Sequence, residues 1–244
     1  MNNVHMILQG KGGVGKSLTA VLVAQYLKSI GANVLCADTD PVNATFTQYK
    51  SLDVTHIDIA KNGTVLQTGF DPLMEAVLSS EADFVIDNGA ATFLPLTKYL
   101  ANNDIYKIFE GAGKKVFIHT VMTGGQAKTD TYNGFCELVG KTSGNAKIVV
   151  WENEFWGPID YNGHTIESTK PYREAERADR IAGRVKIEDH SNDDAMVTAI
   201  SAMTSAHLTL GDVNASPEFN FLVKNRLNKF VGAVFAELKN INWQ

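Results

Sequence analysis

Short apolar runs alternate with longer segments of helical periodicity along most of the chain. The short runs are rich in β-branched and aromatic residues, which is typical of strands buried on both faces. They predict strands at residues 4–9, 33–38, 56–60, 83–87, 115–121 and 147–152. Strands that alternate with helices indicate an α/β fold, with a mostly parallel central sheet flanked by helices.

The segments between these strands have the apolar spacing of amphipathic helices. Residues 18–30 repeat apolar side chains at intervals of three and four, and Gly31 is expected to end that helix. Further helices are predicted at 70–79, 94–102, 129–140, 165–181, 193–206 and 218–238, with Pro171 interrupting one of them. No internal repeat and no Pro-, Gly- or Ser-rich linker divides the sequence, which predicts a single domain over residues 1–244.

Composition and charge exclude several classes of protein. A chain of 244 residues that is 44% hydrophobic has ample material for a core, and its formal net charge of -5 argues against a large basic face for nucleic acid. The apolar runs are shorter than the roughly 20 residues that cross a bilayer. The N-terminus has no basic segment typical of a secretory signal, so we expect a cytoplasmic protein.

The cysteines and the basic residues suggest structural roles. Cys36 falls in a predicted strand and Cys136 in a predicted helix, which favours buried free thiols over a disulfide. Basic residues recur between Lys170 and Lys186, but acidic residues lie among them. We interpret this stretch as the solvated face of a helix.

A glycine-rich loop follows the first predicted strand and precedes the first predicted helix, which is the position of a Walker A motif. Glycines let successive backbone N–H groups turn toward phosphates at a helix N-terminus. In such a loop Lys16 contacts the β- and γ-phosphates, Ser17 ligates magnesium, and Leu18 continues the site into the helix. The sequence therefore predicts that ATP and Mg²⁺ bind to Gly10, Lys11, Gly12, Gly13, Val14, Gly15, Lys16, Ser17 and Leu18.

Carboxylates end two of the predicted strands. Asp38 and Asp40 follow the second strand, at the sheet edge where open α/β sheets bind ligands. Asp87 ends the apolar run 84–86 in the manner of a Walker B motif, so it is expected to hold magnesium, with Asp38 supporting the metal shell. A carboxylate at this edge can also position the water that attacks a γ-phosphate. The alternative is that Asp38 and Asp40 only cap the turn at Pro41.

Lys11 is unusual, because an ordinary Walker A loop has no requirement for lysine directly after its first glycine. The pattern Lys-Gly-Gly-x-Gly-Lys-Ser resembles the deviant Walker A family, which includes the ParA and MinD ATPases and the nitrogenase iron protein. The resemblance implies a three-layer P-loop NTPase fold and an ATP-dependent homodimer, in which Lys11 reaches phosphates held by the other subunit. It also implies catalytic roles for Lys11 and Lys16, and for Asp40 as the residue that positions water.

A narrower resemblance covers roughly the first two thirds of the chain. Segments 9–17, 38–46, 85–90, 119–127 and 149–159 are similar to the TraL-type conjugal transfer proteins of plasmids. This implies a protein partner in the conjugal transfer machinery. The wider family also implies that Asn153 contacts the adenine ring. Partition ATPases carry Asp-Pro-Gln-Gly-Asn where this chain has the shorter 40–43, and no strongly basic C-terminal surface is evident, so direct DNA binding is not implied.

Three other functions are compatible with parts of the sequence. A P-loop small-molecule kinase or synthetase would share the glycine-rich loop but would need an acceptor pocket. Redox coupling through an iron–sulfur cluster is disfavoured by the positions of Cys36 and Cys136. Membrane binding by the apolar stripe of residues 219–238 is possible in principle, but a helix packed on the sheet gives the same pattern and is the preferred interpretation.

Overall fold

A computed structural model describes residues 2–142, 146–161 and 163–243, and a parallel sheet forms its centre. The strands of this part of the chain are β1 (Asn3–Ile7), β2 (Val34–Asp38), β3 (Val54–His56), β4 (Ala60–Lys61), β5 (Thr64–Val65), β6 (Asp83–Asp87), β7 (Lys115–Thr123), β8 (Ala146–Asn153) and β9 (Ile181–Ile187). Seven of them form one sheet in the order β3-β2-β6-β1-β7-β8-β9. Every pairing in that sheet is parallel. Its carboxyl edge therefore collects the loops after β1, β2, β6, β7, β8 and β9.

Helices cover both faces of this sheet. In the described part of the chain they are α1 (Lys16–Ser29), α2 (Asp71–Ser79), α3 (Phe93–Asn102), α4 (Ile105–Gly111), α5 (Lys128–Lys141), α6 (Lys170–Arg177), α7 (Asp194–Ser205), α8 (Leu210–Ala215) and α9 (Phe221–Lys239). α1, α7, α8 and α9 pack against one face, and their apolar side chains form the largest core cluster. α2, α3 and α4 cover the other face, which α5 and α6 extend over β7 and β8. The three-layer α/β fold expected from the sequence is confirmed.

The helix predicted over 165–181 has the wrong bounds, and Pro171, which was expected to interrupt it, lies in its first turn. The helix of this region is only α6, and it ends before Asp179, which adopts a left-handed backbone conformation with φ 54°. The chain then enters β9, an edge strand paired with β8. The basic run to Lys186 is therefore not one solvated helix face. Arg184 and Lys186 lie on β9 and form ion pairs with Glu152, Glu154 and Glu167.

The strand predicted at 56–60 is also misplaced. β3 ends at His56, and residues 57–59 lie outside any strand. Ala60 instead begins the small β4–β5 hairpin, whose turn is Asn62-Gly63 with φ 51° and 74°. Asn-Gly is a strong signal for such a turn, so the sequence contained the information for this hairpin. The short helices α4 and α8 were also not predicted.

The apolar stripe of α9 lies mainly in the core. Leu227, Phe230, Val231, Val234 and Leu238 are buried against the sheet, whereas Phe221 and Leu222 in the first turn are exposed. None of the helices in the described ranges combines the length and hydrophobicity that a bilayer crossing needs. Cys36 is buried in β2 and Cys136 is only partly buried in α5; both are free thiols.

A buried polar chain crosses the middle of the sheet. Trp151 Nε1 donates to Nδ1 of His119 at 2.9 Å, and Nε2 of His119 lies 3.0 Å from Nδ1 of His5. Because His119 Nδ1 is an acceptor here, its Nε2 carries the proton and donates to His5. Both imidazoles are fully buried, and Trp243 packs edge-on against His5 with ring centroids 5.2 Å apart. Burial lowers the pKa of His5 to about 3, and it lowers the pKa of His119 as well.

These histidines predict a steep loss of stability in acid. Their folded-state pKa values lie below the unfolded value of about 6.5, so the unfolded chain gains protons that the folded chain does not accept. The contribution of His5 is full above pH ~6.5 and falls by about 1.4 kcal/mol per pH unit as the pH decreases toward 3. The lowered pKa of His119 acts in the same direction. Urea unfolding of His5→Gln between pH 6 and 4.5 should give a slope shallower by about that amount than the wild type. Identical slopes would contradict this assignment.

Candidate functional site

Side-chain donors engage two carbonyl groups of the loop between β1 and α1. Gly13 and Gly15 have backbone φ angles of 73° and 102°, which residues other than glycine rarely adopt. Lys16 Nζ donates to the Lys11 carbonyl at 2.8 Å, and Asn153 Nδ2 donates to the Val14 carbonyl at 3.0 Å. With these carbonyls satisfied from the protein side, backbone N–H groups at the start of α1 remain available for an anion.

Lys16 and Asp87 are buried opposite charges in the same cleft. Burial lowers the pKa of Lys16, an effect that the charges of Asp87 and Asp40 oppose. Burial also raises the pKa of Asp87 to about 7, although a hydrogen bond from Ser17 and the charge of Lys16 favour its ionised form. Asp87 Oδ1 is buried and has no hydrogen-bond partner among the described protein atoms. The Asp87 carboxylate therefore has unused capacity to accept a hydrogen bond from a metal-bound water.

The two carboxylates after β2 organise the next loop. Asp38 is buried: its Oδ1 accepts from the backbone N of Asp40, and its Oδ2 from those of Phe46 and Thr47. Burial raises the pKa of Asp38, and these hydrogen bonds oppose that shift. Both oxygens are thus committed to shaping residues 38–47. The predicted role of Asp38 near a metal would have to act through this loop.

Asp40 connects its own loop, after β2, to the loop after β6. Within its own loop, Oδ1 accepts from the backbone N of Val42 at 2.9 Å and of Asn43 at 3.1 Å. The carboxylate also packs on Gly89, where a β-carbon would lie only 2.5 Å from Asp40 Cγ. Glycine at position 89 therefore allows the loops after β2 and β6 to meet at Asp40.

Two of the cavities that adjoin the glycine-rich loop lie side by side. The first, of about 560 Å³, is polar, and its lining includes Gly12, Gly13, Gly15, Lys16, Ser17, Leu18, Asp40, Asn43, Asp87 and Asn88. The second, of about 330 Å³, is mostly apolar, and its lining includes Leu18, Asn153, Phe155, Trp156, Ile187, Val197, Ile200 and Phe230. Gly13, Gly15 and Leu18 line both cavities, so the two are adjacent.

Comparison with known proteins gives the family. A model of the CobQ/CobB/MinD/ParA nucleotide binding domain matches residues 5–229. The chain belongs to this family. Two Escherichia coli proteins named TraL are 37% identical over 245 residues and 39% identical over 243 residues, and each alignment covers 98% of both chains. The chain is thus a TraL-type member of the family.

Solved structures agree on the fold. A chain of the MinC:MinD cell division protein complex of Aquifex aeolicus matches with a TM-score of 0.54 at 14% identity, over 97% of this chain and 96% of that one. The Aquifex aeolicus MinD cell division protein matches with a TM-score of 0.50 at 15% identity, over 97% of both chains. At these identities the likeness shows the P-loop NTPase fold alone.

Family membership gives the polar cleft a clear interpretation, because it lies at the Walker A loop of a nucleotide-binding domain. In the described ranges no three His, Cys, Asp or Glu side chains are grouped so that they could hold a metal ion. A magnesium ion held by Ser17 and Asp87 would take its other oxygen ligands from phosphates and water, as Mg²⁺ commonly does in nucleotide sites. The unpartnered Oδ1 of Asp87 fits that arrangement.

Lys11 lies apart from Lys16, on the outer side of the loop. Its Nζ is 2.7 Å from Oδ2 of Asp130 on α5, and both side chains are about half exposed, at 44% and 54%. On this side a cavity of about 500 Å³ is bordered by Lys11, Gly12, Gly13, Gly124, Gly125 and Trp156, among others. The sequence analysis did not identify Asp130 as the partner of Lys11.

Most of the apolar cavity was also missed. Its walls come from the end of β9 and from α7, and β9 had been interpreted as helix. Val185 and Ile187 are buried on either side of the exposed Lys186, which is the alternation of a strand, but the charges in this segment hid it. Asn153, which was predicted to contact the adenine ring, lines this cavity. Both ends of its amide are engaged, Nδ2 by the Val14 carbonyl and Oδ1 by the Phe155 backbone N.

The Asn153 bond predicts how the loop responds to a single substitution. Asn153→Asp keeps the acceptor for Phe155 but replaces the donor to Val14 with a carboxylate, which leaves that carbonyl unsatisfied. A lost bond of this kind costs about 1–3 kcal/mol, so nucleotide affinity should fall about tenfold or more in a fluorescent-nucleotide titration. Asn228→Asp, on the exposed face of α9, is the matched control. Equal affinities for both variants would show that the Asn153 bond does not support the loop.

Proposed function

We propose that this protein binds and slowly hydrolyses Mg-ATP, forms an ATP-dependent homodimer, and acts as a switch in plasmid conjugal transfer. The observation that carries the proposal is the placement of two lysines from one loop. Lys16 is buried in the polar cleft beside Asp87, whereas Lys11 lies outside it in a half-exposed ion pair. One lysine thus serves the chain's own cleft, and the other is accessible to a second molecule.

The polar cleft is suited to a triphosphate. Backbone N–H groups of residues 12–17 at the start of α1 provide a positive end for phosphate oxygens, and the Lys16 ammonium adds a full charge. Ser17 and Asp87 would hold Mg²⁺, which when bound neutralises charge on the β- and γ-phosphates. Bound phosphate would favour the charged form of Lys16, and bound metal would favour the charged form of Asp87. The ligand would thus oppose both of the pKa shifts that burial causes.

The apolar cavity next to the cleft is suited to a nucleobase. A planar ring can bury both faces against side chains such as Leu18 and Val197, and Glu188, Ser201 and Thr204 also line the cavity as polar groups for the ring edge. Since the two cavities share Gly13, Gly15 and Leu18, one nucleotide can span both. In this proposal Asn153 lies next to the nucleobase, and the main role of its amide is to hold the loop through the hydrogen bond to the Val14 carbonyl.

Asp40 is suited to position the attacking water. It lines the polar cleft, and it is held between the loop after β2 and Gly89 of the loop after β6. A carboxylate fixed at the γ-phosphate end of the cleft can accept a hydrogen bond from water and orient its attack. Loops 40–47 and 88–91 would then respond together to the presence of the γ-phosphate, which is how a switch senses its nucleotide.

Lys11 is suited to link nucleotide binding to dimerisation. Its ion pair with Asp130 is half exposed on both sides, and such pairs contribute only about 0–1 kcal/mol. A phosphate on a second copy carries more charge than Asp130 and would draw Lys11 away at little cost. The Lys11 ammonium, placed in the partner's cleft, would stabilise the transition state for hydrolysis there.

The biological setting follows from the TraL relatives. We propose that the ATP-bound dimer recruits a protein of the conjugal transfer machinery, in the cytoplasm where ATP is available. The proposal treats residues 1–244 as one domain, and it does not include direct DNA binding, since the net charge is -5.

The two lysines should separate nucleotide binding from dimerisation. Lys16→Ala removes the charge inside the cleft, so Mg-ATP binding, dimerisation and hydrolysis should all be lost. Lys11→Ala should retain nucleotide affinity within about threefold while dimerisation and hydrolysis fall by about 10² or more, as removal of a transition-state charge does. Calorimetry, sedimentation velocity with ATP and phosphate release measure the three quantities.

Lys107→Ala, an exposed substitution on α4, is the control and should leave all three unchanged. If Lys11→Ala dimerised and hydrolysed ATP as the wild type does, the proposed function of Lys11 would be wrong.

A further inference from the structure

Gln9, the residue before the first glycine of the loop, is a buried polar side chain that joins three elements. It is 1% exposed. Its Nε2 donates to the Val121 carbonyl of β7 at 3.0 Å and to the Thr131 carbonyl of α5 at 3.1 Å. One amide group therefore connects the end of β1, the end of β7 and the first turns of α5.

α5 approaches Gln9 so closely that a side chain is excluded at the contact. A β-carbon at Gly134 would lie 2.2 Å from Oε1 of Gln9. Glycine inside a helix is less stable than alanine by about 1 kcal/mol, so helix stability does not account for this residue. The contact with Gln9 does. We call this contact, together with the two Nε2 hydrogen bonds, the Gln9–Gly134 lock.

A purely structural role would be served better by an apolar side chain at position 9. Gln9 Oε1 is buried and has no hydrogen-bond partner among the described protein atoms. An unsatisfied buried oxygen is destabilising by about 1–3 kcal/mol. The amide is therefore a costly way to fill this space, and its specific contribution is the pair of hydrogen bonds that orient α5.

The lock fixes the two ends of the Lys11–Asp130 ion pair. Lys11 follows Gln9 by two residues, and Asp130 directly precedes Thr131, whose carbonyl Gln9 binds. Gln9, Lys11, Asp130 and Gly134 also line one groove, which Phe93 and Leu94 of α3 close on the other side. Movement of α5 relative to β1 would displace Asp130 from Lys11 directly.

We propose that Gln9 is a positioning residue that locks the nucleotide loop to α5 and so sets where the Lys11 ammonium is presented to a second copy of the chain. This inference rests on the function of Lys11 proposed above. Gln9 acts through Lys11 and α5, whereas nucleotide affinity is set by groups on the other side of the loop, such as Lys16 and Ser17. Loss of the lock should thus affect dimerisation far more than nucleotide binding.

Three variants test the lock. Gln9→Met retains the length of the side chain but removes the donor. Gly134→Ala places a methyl group against Oε1. It should therefore lower the free energy of unfolding, although alanine has the better helix propensity. The double variant Gln9→Ala/Gly134→Ala removes that clash and should recover folding without restoring the hydrogen bonds. Gln67→Met, on an exposed segment between β5 and α2, is the matched control.

The expected result is a split between two dissociation constants. In Gln9→Met and in the double variant, the dissociation constant of the ATP-bound dimer should rise about tenfold or more, as misplacement of a distant group by about 1 Å can do. The dissociation constant for Mg-ATP should stay within about threefold of the wild type. Hydrogen exchange of the nucleotide-free protein should be faster in residues 128–135 of both variants and unchanged in Gln67→Met.

Equal weakening of nucleotide binding and dimerisation would mean that Gln9 only supports the fold, and it would overturn the inference. If the wild type dimerises with ATP but hydrogen exchange in α5 is unchanged in Gln9→Met, then Gln9 does not hold α5 in place. That result would overturn the lock and leave the proposed function of Lys11 intact. A wild type that folds and binds ATP but never dimerises would instead overturn the proposed function of Lys11, whatever the exchange data.

Discussion

The site depends on hydrogen bonds that hold the carbonyl side of the glycine-rich loop. Buried backbone carbonyls need hydrogen-bond partners, and a loop that turns its N–H groups toward an anion must find those partners on its other side. Here Lys16 and Asn153 provide donors to the carbonyls of Lys11 and Val14. Gln9 anchors the entrance of the loop to β7 and α5. Side chains from well-separated parts of the chain thus hold a glycine-rich loop in one conformation.

The charges around this loop are poised for a ligand. Asp38 and Asp87 both have pKa values raised by burial, and that of Lys16 is lowered by burial. Each shift marks a charged group that water no longer solvates. Burying charged groups in this way is destabilising to the fold, and it is common at functional sites. A nucleotide with its metal would return the missing electrostatic partners, so binding should stabilise the fold as well as the loops.

The sequence predicted the parts of the site that are contiguous along the chain. The glycine-rich loop was recognisable because its residues follow one another and lie between a clear strand and a clear helix. Asp87 was recognisable because an apolar strand ends there. Fold class followed from the alternation of strands and helices, since that pattern has few compact solutions.

The contacts that depend on tertiary proximity could not be read from the sequence. Nothing near Lys11 in the chain indicates Asp130, and nothing near Gln9 indicates Gly134, because α5 lies far from both along the chain and meets them only in the folded structure. β9 was mistaken for helix because its charges resemble a solvated face. In the fold those charges face Glu152, Glu154 and Glu167. The apolar cavity beside the loop was missed with it, since β9 and α7 build its wall.

The most direct test of this account is a structure of the protein with magnesium and a non-hydrolysable ATP analogue. The account predicts phosphates at residues 12–17 in the polar cleft, the base in the adjacent apolar cavity, and Lys11 Nζ of one protomer in hydrogen-bond contact with phosphate oxygens held by its partner. A nucleotide bound elsewhere, or bound in this cleft by a monomer that still pairs Lys11 with Asp130 at saturating ligand, would contradict it.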